Sequence, residues 1–211
     1  MPAPAESAAP FVPESRSLKA LREASEGCRG CPLYAGATQS VFGAGPRKAS
    51  LMLVGEQPGD REDREGAPFV GPAGRILDES LAEAGIAREE VYLTNAVKHF
   101  KWKAGRGKRR IHQRPSVGEV NACRPWLEAE LEAVKPELVV CLGATAARSV
   151  IGPSFRVTKD RRTYVETDIA PLATGTIHPS SLLRIDDPEE RRLGRAEFVR
   201  DLAEAAARVE G

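Results

Sequence analysis

Four short apolar runs constrain the fold more than anything else in the chain. Residues 51–54 (LMLV), 91–94 (VYLT), 138–142 (LVVCL) and 170–177 (APLATGTI) have strand length, and helix-length segments lie between and after them. Strands joined through helices run parallel, and the helices cover both faces of the sheet. The expectation is therefore a three-layer α/β/α fold around a central, mostly parallel four-stranded sheet. Helices are expected over 18–26, about 73–84 (closed by Gly85), 116–134, 143–151 and 187–208. Ser116 and Glu119 have the spacing of a capping box, Pro136 stops that helix, and Asp187 with Pro188 opens the last one. Residues 155–165 read as a short hairpin. In such a topology the groups that follow strand ends meet on one rim. Those groups are Glu56 and Gln57, Asn95, and His178 to Ser181.

Net charge excludes little, since 31 Lys and Arg face 30 Asp and Glu. Its distribution says more. Residues 95–118, NAVKHFKWKAGRGKRRIHQRPSVG, hold eight Lys or Arg, no acidic residue, and the aromatics Phe100 and Trp102. That combination is the footprint of a polyanion site with stacking potential, the alternative being a solvated charged loop. Residues 1–16 lack the basic start and apolar core of a secretory signal. They are expected as a disordered tail before a single domain over 17–211. No run has the length to span a membrane, so a cytoplasmic monomer is expected. Four cysteines, Cys28, Cys31, Cys123 and Cys141, then suggest a metal or core positions over disulfides. Their spacing, C-x2-C followed by C-x17-C, leaves zinc and an iron–sulfur cluster equally open. Cys141, inside an apolar run, also reads as a plain core thiol.

The first run leads into Gly55-Glu-Gln-Pro-Gly59, where glycine permits close approach to a ligand and proline stiffens the turn. A second loop, 66–74, carries Phe69, read as an exposed ring beside a carboxylate. GEQPG…EGAPFVGPAG resembles the first motif of the family 4 uracil-DNA glycosylases, GEAPG…GxPFVGxAG, with Gln57 at a position that is commonly alanine. HPS at 178–180 resembles the second motif of that family, and Asn95 after VYLT resembles its uracil-reading asparagine. The resemblance implies a uracil-DNA glycosylase-like fold and uracil-containing DNA, single- or double-stranded, as the partner, with free uracil as product. It also implies a [4Fe–4S] cluster on the four cysteines, zinc being the alternative.

On that resemblance Asn95 matches O4 and N3–H of uracil, because an amide offers one acceptor and one donor. In isolation Asn95 reads equally well as a turn residue capping local backbone. Phe69 stacks on the extruded base, with Gly55, Gln57 and Asp60 completing the uracil pocket. His178 donates to O2 of the departing uracil anion. Glu56 stabilises the oxocarbenium-like sugar or activates its nucleophile. Lys98, Ser180, Ser181 and Arg184 contact DNA phosphates.

Lys108-Arg-Arg-Ile-His112 departs from typical family 4 sequences and resembles the loop of the UdgX branch, which captures its product. GEQPG, TNAVKHFK, KRRIHQ, ACRPWL and HPSSLLR fit the same branch. The implication is that His112 adds to C1′ of the sugar, while Arg109 and Arg110 pin the loop against phosphates or flanking protein. Without the resemblance His112 reads as a phosphate contact in a basic loop. Three functions are thus weighed: excision with covalent capture through His112, ordinary turnover excision in base excision repair, and a non-catalytic iron–sulfur module that binds nucleic acid.

Overall fold

A computed structural model describes residues 7–209 of the chain. In order, the elements are α1 (Leu18–Glu26), β1 (Leu51–Gly55), α2 (Asp60–Glu65), α3 (Pro72–Glu83), β2 (Tyr92–Asn95), β3 (Trp102–Ala104), β4 (Arg110–His112), α4 (Val117–Val134), β5 (Leu138–Leu142), α5 (Ala144–Val150), β6 (Ala173–Thr176) and α6 (Pro188–Ala206). Strands β2-β1-β5-β6 form the central sheet, and every neighbouring pair in it is parallel. β3 and β4 pair separately as an antiparallel hairpin. The expected three-layer α/β/α architecture is present.

Side-chain alternation along the strands divides the core. Met52, Val54, Val139 and Cys141 pack on one face with Leu127, Leu131 and Val134 of α4. Leu51, Leu53, Val140 and Leu142 pack on the other with Leu77 and Leu81 of α3 and Phe198 and Leu202 of α6. Helix α4 is buried on its far side as well. Cys123, Trp126, Ala129 and Ala133 meet Leu21, Cys28, Cys31 and Leu33 there. A helix apolar on both faces must lie inside the molecule, and this one separates two cores.

Two expected features turn out differently. Residues 7–16 are packed, not a free tail: Ala8 is buried, its N–H donates to the Ala122 carbonyl at 2.7 Å, and Ala9–Phe11 form a 3-10 turn. Phe11 and Val12 rest on the core beside α4, so the apolar groups of this Ala/Pro-rich stretch find a surface that composition does not reveal. Residues 1–6 lie outside the described residues. The hairpin expected at 155–165 is a series of turns, with only Val165 bridging to Ala173. Phe155 instead serves the main core.

Candidate active site

The carboxyl ends of β1, β2, β5 and β6 open into a cleft of about 770 Å³ lined by Glu56, Gln57, Asn95, His112, Thr145 and His178, among others. Parallel pairing continues beyond the strands and fixes the rim: Ala96 N–H donates to Gly55 O at 2.8 Å and Val97 N–H to Glu56 O at 3.0 Å. Gly55 is required by space. A Cβ there would lie 2.3 Å from Asn95 Oδ1 and 2.7 Å from Phe69 Cζ. The amide of Asn95 has no hydrogen-bond partner among the described residues, although it is only 3% exposed. The amide borders the cleft, where a ligand can meet it.

Phe69 is not the exposed ring expected. It is 5% exposed, with φ of 55°, and its ring lies 6.4 Å from that of His178 in a stacked arrangement. Positive φ in a bulky residue is strained and marks a place where surrounding structure dictates the backbone. Part of that dictation comes from Glu62. Its carboxylate accepts from Gly59 N–H at 3.1 Å and Gly71 N–H at 2.8 Å, stapling together the two glycine loops. Helix α2, which supplies Glu62, is not among the helices expected from sequence; its DREDRE run has no apolar period.

The two cleft histidines are wired in opposite ways. At His178, Nδ1 accepts from Ser180 N–H at 3.1 Å, which leaves the proton on Nε2. Ser180 Oγ lies 2.8 Å from the same nitrogen, and Ser181 Oγ donates to His178 O at 2.7 Å. The serine hydroxyls expected to hold phosphate thus hold the histidine. Burial, then the fields of His112 and Arg184, push the His178 pKa down to about 4. At neutral pH it is an uncharged donor. Gly143 makes room for it: φ there is +92°, and a Cβ would stand 3.0 Å from His178 Cβ.

His112, at the end of β4, points its Nε2 toward Gln57 Nε2 at 2.8 Å. The Gln57 amide is oriented by backbone: its Oε1 accepts from Lys101 N–H at 3.0 Å, and its Nε2 donates to Gln113 O at 2.9 Å. Gln57 therefore donates to His112, whose Nε2 must carry a lone pair and whose proton sits on Nδ1. Burial lowers the His112 pKa; Glu56 opposes this and Arg184 adds to it. Glu56 Oε1 lies 3.6 Å from His112 Nε2. The other carboxylate oxygen accepts from the Thr145 hydroxyl and lies 3.6 Å from Arg114 Nε. Gln57 is thus spent on the basic hairpin rather than standing free for a base.

Further expectations for the basic segment are corrected. Of its two expected partners, phosphate and flanking protein, Arg110 takes flanking protein: it pairs with Asp60 and, at 2.6 Å, with Asp63, and its guanidinium lies 5.3 Å from the Phe100 ring centroid and 5.5 Å from that of Trp102. Asp60 consequently serves Arg110, although it also borders the cleft. Phe100 is buried, and Trp102 Nε1 donates to Gly36 O at 2.7 Å, so both rings anchor the hairpin instead of waiting for bases. Lys98 is 1% exposed and paired with Glu130; it is not a DNA contact. Lys103, Arg106, Lys108 and Arg109 are exposed and unpaired among the described residues, and Arg184 borders the cleft.

The cysteines do not form one set. Cys28, Cys31 and Cys123 share the core on the outer side of α4. Cys28 Sγ accepts from Trp126 Nε1 at 3.2 Å, and Cys123 Sγ from Lys98 N–H at 3.3 Å. Burial pushes the Cys123 thiol up to about 12, against the opposing field of Lys98. Cys141 lies within β5, on the sheet side of α4, and burial alone raises its pKa. A metal held by all four does not fit this arrangement. Among the described residues no three or more His, Cys, Asp or Glu are grouped to hold a metal ion.

Glu62, Arg114 and Thr145 were missed as site residues. Thr145 follows β5 on the very rim that the strand argument defines, and Glu62 stands three residues after Gly59, at capping-box spacing. Both signals were legible. Arg114 was counted only as one more cation.

A parallel-sheet rim that gathers a carboxylate, an unpartnered amide, a neutral imidazole donor and a second imidazole whose Nε2 is unprotonated defines an α/β protein built to act on a small polar group entering from the edge. The chain belongs to the uracil-DNA glycosylase superfamily, whose family model matches residues 42–203. It is 36% identical over 177 residues to the type-4 uracil-DNA glycosylase of Thermotoga maritima, covering 83% of this chain and 88% of that one. Over 199 residues it is 34% identical to the type-4 enzyme of Sulfurisphaera tokodaii, covering 89% and 85%. A type-5 uracil-DNA glycosylase of Pyrobaculum aerophilum is 34% identical over 122 residues, covering 51% and 50%. No helix among the described residues is long and apolar enough to cross a membrane.

Proposed function

We propose that this protein excises uracil from DNA and is then joined covalently to the sugar through His112. The type-4 relatives support the excision. The observation that carries the capture is His112 Nε2, held deprotonated by Gln57 and 3.6 Å from Glu56 in the cleft that also holds Asn95 and His178. Asn95 pairs with the uracil edge, Phe69 packs against the extruded base, and His178 Nε2–H donates to O2 as charge develops there. The C1′–N1 bond breaks with its electron pair leaving on uracil, which takes a proton from solvent. The contact with Gln57 yields, and the Nε2 lone pair forms a bond to C1′. Glu56 stabilises first the cationic sugar and then the imidazolium, which sheds its Nδ1 proton to solvent. The exposed cations Lys103, Arg106, Lys108 and Arg109 grip the DNA backbone. A uracil-containing single strand incubated with the protein and run on a denaturing gel tests this. A protein-linked band supports capture; alkali-labile abasic product without that band identifies a turnover glycosylase.

Arg110 fastens the hairpin that presents His112. Arg110→Ala is expected to lower crosslink yield at least about tenfold, given charge-assisted contacts to two carboxylates. Excision, read as alkali-labile strand breaks, stays within a few-fold of wild type. Equal loss of both activities would refute the division of labour.

An iron–sulfur cluster here would take Cys28, Cys31 and Cys123 as thiolate ligands and leave Cys141 out. Cys123→Ala is then expected to lose bound iron and the visible absorbance of the cluster, whereas Cys141→Ala retains both. Iron loss in the Cys141 variant would restore the four-cysteine set.

A further inference from the structure

We infer that the buried ion pair Lys98–Glu130 is a positioning device for Asn95, and so for base recognition. The inference rests on Asn95 reading uracil. Lys98 Nζ spends its three donors on Asn95 O at 2.7 Å, Thr94 Oγ1 at 2.7 Å and Glu130 Oε2 at 2.5 Å. Glu130, fully buried in the middle of α4, also accepts from Gly43 N–H at 2.9 Å, Tyr92 OH at 3.1 Å and the Thr94 hydroxyl. One carboxylate thereby ties α4 to both ends of β2 and to the 41–44 segment.

An ammonium in an apolar core has no reason to be retained for stability, since hydrophobic replacements of buried pairs are commonly neutral or better. Two of its donors here go to the last two residues of β2, Thr94 and Asn95. The carbonyl of Asn95 points down into the core, and the Asn95 amide, on the same residue, borders the cleft. Clamping that carbonyl fixes the Cα–Cβ direction, hence where the amide meets a base. The clearance is small, because even a Cβ on Gly55 would collide with Asn95 Oδ1.

The test is a double-mutant cycle. Lys98→Met with Glu130→Gln removes both charges, keeps volume, and leaves an acceptor for Gly43 and Tyr92. In otherwise wild-type protein this pair is expected to lower kcat/KM for uracil excision about 10- to 100-fold, the range of one charge-assisted hydrogen bond. In an Asn95→Ala background the same pair is expected to change it less than about twofold, because neighbours acting through one group are not additive. An equal loss in both backgrounds would mean a general structural role and overturn the proposal, as would no loss in either. An Asn95→Ala protein as fast as wild type would overturn the uracil reading itself, and this proposal with it. Should the double variant fail to fold, Lys98→Gln with Glu130→Gln removes both charges without leaving either one buried alone and gives the same cycle.

Discussion

Replacing His112 with serine is expected to abolish the protein–DNA crosslink and release a multiple-turnover uracil-DNA glycosylase. Serine removes the imidazole lone pair that accepts from Gln57, and it opens a space the size of an imidazole beside Glu56. Water can then occupy the position of attack. Glu56, held by Thr145 and Arg114, stays in place to accept its proton. Asn95, Phe69 and His178 belong to other elements and are untouched, so cleavage of the C1′–N1 bond continues. Denaturing gels and product counted per enzyme check both halves. A crosslink of undiminished yield in the serine variant would show that another nucleophile is responsible.

His178→Ala is expected to slow excision about 10²- to 10³-fold, the usual effect of losing one donor aimed at a developing anion. Crosslinking falls in parallel, since capture follows cleavage. The pH dependence carries a sign that can be worked out. His178 carries a proton on Nε2 both in its neutral tautomer, set by Ser180 N–H, and when protonated, so the sign is set by His112, which attacks only when Nε2 is unprotonated. An ordinary histidine is half protonated near pH 6.5. Burial lowers both residues below that value, His178 to about 4. Single-turnover crosslinking is therefore expected to fall as pH is lowered, with its midpoint below 6.5. A crosslinking midpoint at or above 6.5 would mean that the His112 ring is not desolvated as described.

The opposed tautomers give one chemical division on a single rim. Two imidazoles of the same intrinsic basicity become a hydrogen-bond donor and a nucleophile because different backbone groups reach them. Ser180 N–H decides His178, and Lys101 N–H decides His112 by way of Gln57. Neither decision involves a charged residue, so both hold across the pH range in which the rings are neutral.

How much of this was legible in the sequence follows from the range of the forces involved. Strand and helix periods, the Ser116 capping box and the Gly85 stop are local, and they placed β1, β2, β5, α3, α4 and the rim to within a few residues. Connectivity then brought Glu56, Asn95 and His178 together, since parallel strands leave no other arrangement. What local pattern could not supply was the partner of each polar group. Lys98, Arg110 and Phe100 look like surface chemistry in a basic segment, yet each finds its place against residues between 32 and 50 positions away or in the core. Lys98 meets Glu130 across α4, Arg110 meets Asp60 and Asp63, and Phe100 closes over with the hairpin.

Sequence by itself therefore determined the sheet, its direction and the roster of reactive groups on its edge, because these depend on period and chain direction alone. Tertiary structure decided which cations are spent inside the protein, which ring nitrogen carries a proton, and that Cys141 stands apart from the other three thiols. Those outcomes depend on hydrogen-bond geometry and desolvation between distant segments, and such quantities exist only once the chain has packed.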